Sequence, residues 1–321
     1  MESIELGETG IAVTRVILGC GNFGGIGSSP AFFGQGTSRD DAMALLDAAW
    51  ELGIRTLDTA DAYGGGRSES WIGEWLAAKG PAVRDEVVIT TKTFNPMDAG
   101  HDHGLGGQRI RRQLRSSLER LGVDRVHLYM AHEFDPTTPQ EETLAAFDGL
   151  VRDGLVGAVG ASNFTAEQLA EALELSRLEG LVRYGWVQNA FSLLERADRE
   201  TIFPLCHEHG LGYTPFSPLA GGWLTGKYRR GVEPPVGSRM TLRPQGSERY
   251  RTDTVFDALE TLERSAAERG VTMGGLALAW LLHVPEITAI VVGPNRVEHL
   301  APVAEALGIT LTAGEHEAIE Q

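Results

Sequence analysis

Eight short apolar runs alternate with longer segments of helical periodicity along most of this chain. Helical patterns such as DDAMALLDAAWEL and GQRIRRQLRSSLERL separate the runs. Eight strands alternating with helices predict a (β/α)8 barrel, whereas fewer strands would favour an open doubly wound sheet. The predicted strands are residues 15–18, 55–58, 87–91, 126–130, 156–160, 185–188, 212–215 and 288–292.

The barrel is expected to occupy the whole chain as one domain, residues 1–321, because no low-complexity linker divides it. Residues 1–14 predict a hairpin around Glu8-Thr9-Gly10 that plugs the lower end of the barrel. Residues 232–252 are rich in Pro, Gly and Arg and form the one long irregular stretch. We expect this stretch to be a mobile loop over the functional site.

Composition excludes several classes of function. The net charge of -16 argues against a nucleic-acid partner, because phosphate binding needs a basic surface. No run of about 18 apolar residues is present, so no membrane partner is expected. The N-terminus lacks the basic and apolar regions of a signal peptide. Cys20 and Cys206 are too few for a disulfide framework and predict buried thiols in a reducing, cytoplasmic compartment.

Two glycine motifs resemble nucleotide-binding loops but lack the required context. Residues 19–24 match G-x-G-x-x-G, yet the glycines run on into GGIGSSPAFFGQG, and the next helix begins only near Arg39. Residues 221–227 fit G-x-x-x-x-G-K, but Tyr228 stands where a magnesium-binding Ser or Thr belongs. Neither motif predicts a Rossmann or P-loop site.

Two histidine pairs raise the question of a metal site. His101 and His103 lie in a glycine-rich loop, and His207 and His209 lie in a predicted helix, where residues two apart point to different sides. Solvated surface is the better interpretation of both pairs, so no metal site is predicted.

Asp58, Lys92 and His132 each lie at or just beyond the end of an apolar run, and Tyr63 follows in the loop after Asp58. In a parallel barrel these ends gather on one rim, where such folds keep their chemistry. Taken singly, the residues have ordinary alternatives: a surface aromatic, a solvated lysine, a helix cap and a structural histidine. Together they form a candidate site.

This set matches the demands of carbonyl reduction. A free tyrosine holds its proton at pH 7, and a neighbouring ammonium lowers its pKa by favouring the phenolate. Lys92 is the candidate ammonium, and Asp58 would hold it in an ion pair. Tyr63 would then act as a general acid, and His132 would donate a hydrogen bond to the substrate oxygen.

The segment from Asp58 to Gly64 (DTADAYG), continuing to Ser68 and Glu69, resembles the signature of the aldo-keto reductases. Lys92 in TTK and His132 in YMAH fall where that family keeps the rest of its catalytic tetrad. The resemblance extends over nearly the whole chain. It implies reduction of a small-molecule aldehyde or ketone by NADPH, bound extended across the barrel mouth.

The resemblance also implies a set of cofactor contacts. Ser162, Asn163 and Gln188 match the residues that hold the nicotinamide carboxamide. A loop that wraps the pyrophosphate is implied for residues 217–227, and the first strand and Asp58 are expected near the nicotinamide. The implied cofactor-binding residues are Gly21, Asn22, Phe23, Asp58, Ser162, Asn163, Gln188, Phe216, Ser217, Leu219, Gly222, Lys227, Gly293, Arg296 and His299.

The chain departs from the family pattern in two places. Phe216 stands where the family often stacks a tyrosine on the nicotinamide, so the ring is kept without its hydroxyl. The amide that usually contacts adenine is missing after Glu298, which leaves Arg296 and His299 to meet a 2′-phosphate.

Substrate specificity is expected from residues 94–107 and 232–252, with Trp223 and Tyr250 lining the pocket. A redox-sensing or regulatory subunit with little turnover is the alternative function, because relatives of the fold can couple a bound nicotinamide to a partner protein. Assembly as a homo-oligomer is left open.

Overall fold

The computed structural model describes residues 1–100, 102–242 and 248–320. Two antiparallel strands form an N-terminal hairpin, β1 (Ser3–Glu5) and β2 (Ala12–Thr14). Eight parallel strands follow: β3 (Val16–Gly19), β4 (Thr56–Asp58), β5 (Val88–Thr93), β6 (Val126–Ala131), β7 (Val156–Ser162), β8 (Trp186–Gln188), β9 (Gly212–Tyr213) and β10 (Ile290–Val292).

Helices alternate with these strands. They are α1 (Arg39–Glu51), α2 (Arg67–Lys79), α3 (Pro81–Arg84), α4 (Gly107–Leu121), α5 (Gln140–Arg152), α6 (Ala166–Glu179), α7 (Asp198–His209), α8 (Arg239–Leu242), α9 (Asp253–Arg269), α10 (Met273–Leu282), α11 (Ala301–Ala306) and α12 (Ala313–Glu320). Short 3-10 turns cover Pro30–Phe32, Tyr63–Gly66, Ala220–Thr225, Glu248–Tyr250 and Val297–Leu300.

The parallel sheet closes on itself. Its hydrogen-bonded order is β10-β3-β4-β5-β6-β7-β8-β9, so the last strand lies beside the first. Between β9 and β10, the Thr288 N–H donates to the Tyr213 carbonyl and the Val291 N–H to the Pro215 carbonyl, both at 2.9 Å. These bonds complete a (β/α)8 barrel, which confirms the predicted fold.

Local sequence signals explain where the main helices begin. Ser38 accepts a hydrogen bond from the Asp41 N–H, which caps α1. Thr165 and Gln168 form a reciprocal capping box at the start of α6. As the sequence indicated, the glycines of residues 19–24 open no α-helix, and the first α-helix begins at Arg39.

The N-terminal hairpin covers one end of the barrel. Ser3 pairs with Thr14, and the turn between them brings Leu6 and Val13 into the barrel interior. There they pack against Met130 and Trp186, in a small cluster separate from the larger core between sheet and helices. The predicted plug is confirmed.

The irregular segment 232–252 contains α8 and the 3-10 turn Glu248–Tyr250, while residues 243–247 lie outside the described residues. Trp223 and Tyr250, expected to line the pocket, are instead buried and pack with their ring centroids 5.8 Å apart. Because both rings are packed in the core, little of their surface is exposed to a substrate. The mobility of the segment stays a prediction.

Within the described ranges, no helix combines the length and apolar character needed to cross a bilayer. Cys20 and Cys206 are both buried and free.

Candidate active site

Four polar side chains meet at the carboxyl ends of β4, β5 and β6. Asp58 ends β4, Lys92 lies near the end of β5, and His132 follows β6 directly. Tyr63 comes from the 3-10 turn after β4, where Gly64 is held at a positive φ of 60°. Glycine adopts this backbone without strain, so the turn can bring the phenol back over the barrel mouth.

The four side chains form one hydrogen-bonded chain. Lys92 Nζ lies 2.6 Å from Asp58 Oδ2 and 3.3 Å from Tyr63 Oη. Tyr63 Oη lies 3.4 Å from Nε2 of His132. Tyr63 is half-buried, whereas the other three are 8% exposed or less. The predicted tetrad is therefore brought together, and Tyr63 is its most exposed member.

The Lys92 ammonium is held by fixed acceptors. Besides Asp58, it donates to the Thr59 carbonyl at 2.9 Å. Burial, the largest single effect, lowers the pKa of Lys92, but the charges and hydrogen bonds of Asp58 and Tyr63 together outweigh it, and the pKa is raised. The lysine is therefore charged at neutral pH.

The Tyr63 phenol does not have the lowered pKa expected from its neighbouring ammonium. Burial raises the pKa of Tyr63, Lys92 lowers it, and Asp58 raises it again, with a net upward shift. The expectation failed because it counted Lys92 alone and left out burial and the Asp58 charge. The phenol is consequently protonated at neutral pH, as a proton donor must be.

His132 is kept neutral. Burial and the Lys92 charge lower its pKa well below the ordinary value. Its Nδ1 atom has no hydrogen-bond partner among the described residues. An unpaired acceptor costs less than an unpaired N–H, so we assign the proton to Nε2, which faces Tyr63.

Two side-chain amides beside the tetrad have defined orientations. Gln188 Nε2 donates to Asp58 Oδ1 at 3.0 Å, and Asn163 Nδ2 donates to the His132 carbonyl at 2.9 Å. The Asp58 carboxylate and the His132 carbonyl can only accept hydrogen bonds, so the NH2 group of each amide faces its partner. The oxygen of each amide therefore points away from that partner. The hydroxyl of buried Ser162 lies 3.2 Å from Asn163 Nδ2. These residues present acceptors that fit a carboxamide NH2 group.

A second polar region lies beyond β9. The turn Ala220–Thr225 carries Gly222 at φ 98°, and a β-carbon built on Gly222 would meet Lys227 Nζ at 2.3 Å. Lys227 and Arg296 are exposed, and neither forms an ion pair within the described ranges. Both charges lower the pKa of His299, after the larger effect of its burial. These three groups form a basic cluster suited to phosphate.

Within the described part of the chain, the only non-glycine residues with a positive φ are Asn163, Ser217 and Ala220. Such backbone is strained and collects at functional sites. Asn163 and Ser217 are predicted cofactor contacts. Ala220 directly follows Leu219, another predicted contact.

The remaining predicted contacts lie between these regions. Asn22 Nδ2 donates to the Gly293 carbonyl at 3.2 Å, which joins the ends of β3 and β10. Phe216 is half-buried at the end of β9. The Phe23 ring is fully buried in the core, so just after β3 the partly accessible residues are Gly21 and Asn22.

Comparison with known proteins decides the family. The model of the aldo/keto reductase family matches residues 15–321. The chain belongs to this family. It is similar to an uncharacterized oxidoreductase, YrpG, from Bacillus subtilis (36% identity over 97% of this chain and 92% of the relative). It also resembles L-glyceraldehyde 3-phosphate reductase from Escherichia coli K12 (33%, covering 90% and 85%).

A third relative has a different name. The chain is 32% identical to a probable voltage-gated potassium channel subunit beta from Oryza sativa, over 96% of this chain and 92% of the relative. The family membership makes this protein an oxidoreductase of the aldo/keto reductase type, a group that uses nicotinamide cofactors.

Behind the aldo/keto reductase tetrad lies a buried ionic network that the sequence analysis missed. The Glu69 carboxylate accepts from Thr91 Oγ1 at 2.5 Å and from Arg120 Nε at 2.7 Å. Asp61 Oδ2 accepts from Thr93 Oγ1 at 2.7 Å, and the Asp61 N–H donates to the Lys92 carbonyl at 3.0 Å. The signal was available, because Asp61 and Glu69 flank Tyr63 in the segment that carries the family signature.

The residues described include no group of three or more His, Cys, Asp or Glu side chains that could hold a metal ion. His101, from the first histidine pair, lies outside the described residues. His207 and His209 lie in the last turn of α7.

Proposed function

We propose that this protein reduces an aldehyde or a ketone to an alcohol with NADPH, and that Tyr63 is the general acid. The observation that carries the proposal is the position of Tyr63 Oη. It lies 3.3 Å from Lys92 Nζ and 3.4 Å from His132 Nε2, and Tyr63 is the most exposed residue of the tetrad.

NADPH, when bound, supplies a hydride to the carbonyl carbon of the substrate. Tyr63 donates its proton to the carbonyl oxygen as negative charge grows there. Lys92 stabilises the phenolate left behind, and Asp58 keeps the ammonium in place. The Nε2–H of His132 orients the substrate oxygen and stabilises its charge.

The chain offers groups for both ends of the cofactor. Asn163 and Gln188 would accept hydrogen bonds from the nicotinamide carboxamide through their amide oxygens. Lys227 would meet the pyrophosphate, and Arg296, with His299 beside it, the 2′-phosphate. A guanidinium free of an ion pair is well suited to bind a phosphate, which favours NADPH over NADH.

Direct binding tests the cofactor part of the proposal. NADPH added to the purified protein should quench tryptophan fluorescence and raise the melting temperature by mass action. NADH, added in parallel, reports the preference between the two. If neither cofactor produces a response at millimolar concentration, the proposal is wrong.

The resemblance to a potassium channel beta subunit favours a second candidate function, a nicotinamide-binding regulatory subunit with little turnover. A panel of carbonyl compounds separates the two: 4-nitrobenzaldehyde, 9,10-phenanthrenequinone and keto-sugars. Multiple turnovers on any of them favour the reductase. Stable retention of NADP through purification, with no turnover on the panel, favours the regulatory subunit.

We further propose a cytoplasmic location, because both cysteines are free and buried. Fractionation of the host cells would test it.

A further inference from the structure

Gly21, just past the end of β3, lies against the ring that carries the reactive hydroxyl. A β-carbon built on Gly21 would lie 3.5 Å from both Cζ and Cε2 of Tyr63. Cζ is the carbon that bears the phenol oxygen. Among the described residues, the three nearest atoms to that β-carbon all belong to the Tyr63 ring.

Other directions around the phenol are occupied by buried groups. Lys92 Nζ lies 5.0 Å from the ring centroid, and the His132 ring meets the Tyr63 ring edge-on at 5.4 Å between centroids. Both groups are buried, whereas Gly21 and Tyr63 are half-buried. Of these three neighbours of the phenol, Gly21 is the one that is not buried.

The backbone around Gly21 is fixed on both sides. The Cys20 N–H donates to the Asp58 carbonyl at 2.8 Å, and the Cys20 carbonyl accepts from Ser68 Oγ at 3.1 Å. The Gly21 carbonyl accepts from the Gly27 N–H at 2.7 Å. A methyl group added at Gly21 could not move away without breaking one of these bonds.

An alanine at this position is nevertheless compatible with the fold. The backbone of Gly21 does not adopt a left-handed conformation, and 3.5 Å is an ordinary van der Waals contact. The substitution would fill space at the reacting group with little strain.

We propose that Gly21 determines which carbonyl substrates reach Tyr63, because its missing side chain leaves room for the second carbon substituent of a ketone. An aldehyde carries hydrogen in that place and needs less room. The proposal rests on the carbonyl reduction proposed above. It makes Gly21 a specificity-determining residue, because the absence of a β-carbon leaves space beside the phenol.

The test compares Gly21→Ala with the wild type on a matched pair, benzaldehyde and acetophenone, at saturating NADPH. The ratio of kcat/KM for the ketone to that for the aldehyde should fall at least about tenfold, the usual effect of one misplaced carbon in a pocket. Gly314→Ala is the control, since a β-carbon built on Gly314 meets nothing within 4 Å and its φ is not left-handed. That variant should keep the wild-type ratio.

An unchanged ratio would overturn the inference, whether or not activity is lost on both substrates. If NADPH binding also weakens, Gly21 contacts the cofactor instead. A wild-type protein that reduces neither compound, nor any member of the carbonyl panel, would instead contradict the proposed function. The melting temperature of Gly21→Ala should stay close to that of the wild type. A large decrease would contradict the premise that a methyl group fits at Gly21, and with it the inference.

Discussion

The Lys92 ammonium lies 2.6 Å from Asp58 Oδ2, and both side chains are buried. If one of the two were removed, no water could solvate the charge that remains. Removing one member of a buried ion pair leaves an uncompensated charge, which typically costs about 3–5 kcal/mol. The same ammonium lies 3.3 Å from the Tyr63 oxygen. Breaking the pair therefore costs stability, and losing Lys92 also makes the phenol less acidic.

We expect Lys92→Met to lower the rate of carbonyl reduction by about 10² to 10⁴, because without the ammonium the pKa of Tyr63 rises further. The Tyr63→Phe, Lys92→Met double variant should be little slower than either single variant, because the two residues act as a unit. Single-turnover rates with NADPH measure this.

Stability must be separated from catalysis in that comparison. Lys92→Met should also lower the melting temperature, whereas Asp58→Asn, Lys92→Met should recover part of the loss, since the unpaired carboxylate is gone. If the rate effects of Tyr63→Phe and Lys92→Met multiply in the double variant, the two residues act independently and the account of the pair is wrong.

The sequence was sufficient for the barrel because eight short apolar runs alternate with segments of helical periodicity. The observed strands β4 and β6 begin or end within one residue of their predictions. The tetrad was predictable for the same reason: side chains that follow parallel strands must converge on one rim.

The sequence could not predict properties that depend on how closely side chains pack, such as a pKa on which burial and neighbouring charges act in opposite directions. The pKa of Tyr63 depends on how far burial exceeds the effect of Lys92, and no pattern of residues gives that difference. Trp223 and Tyr250 were expected at a pocket wall because they lie in variable loops. Their burial depends on Tyr228 and Phe256, which converge on Trp223 only in the folded chain.

Cofactor preference is predicted to depend on Arg296. Arg296→Ala should weaken NADPH binding much more than NADH binding, by about 1–3 kcal/mol, the usual contribution of a charge-assisted hydrogen bond. Fluorescence titration of both cofactors measures the difference. Arg115→Ala, an exposed arginine of α4 without an ion pair in the described part of the chain, is the control. Equal losses for NADPH and NADH would show that Arg296 does not contact the phosphate.

The buried Asp61 carboxyl predicts a pH-dependent stability. Burial and the nearby Glu69 charge raise the pKa of Asp61 from 3.8 to about 7, against the opposing effects of Thr93, Arg109 and Arg120. Between these values the folded protein holds a proton that the unfolded chain releases. This group therefore makes the free energy of unfolding decrease as the pH rises, by at most about 1.4 kcal/mol per pH unit.

Asp61→Asn keeps the shape of the side chain and removes its titration. Urea unfolding at several pH values across this range should show that the variant loses less stability with rising pH than the wild type. Asp153→Asn, at the exposed end of α5, should leave the slope unchanged. A wild-type slope that survives in Asp61→Asn would mean that another group titrates.

The central claim is that the Tyr63 hydroxyl donates the proton, and Tyr63→Phe tests it most directly. The variant keeps the ring, so NADPH should bind with near-native affinity while the single-turnover rate of carbonyl reduction falls by about 10² to 10⁴. Tyr184→Phe, which alters a tyrosine buried beside Phe147 and Phe164, should keep the wild-type rate. A Tyr63→Phe protein that binds NADPH and retains most of the wild-type rate would contradict the mechanism.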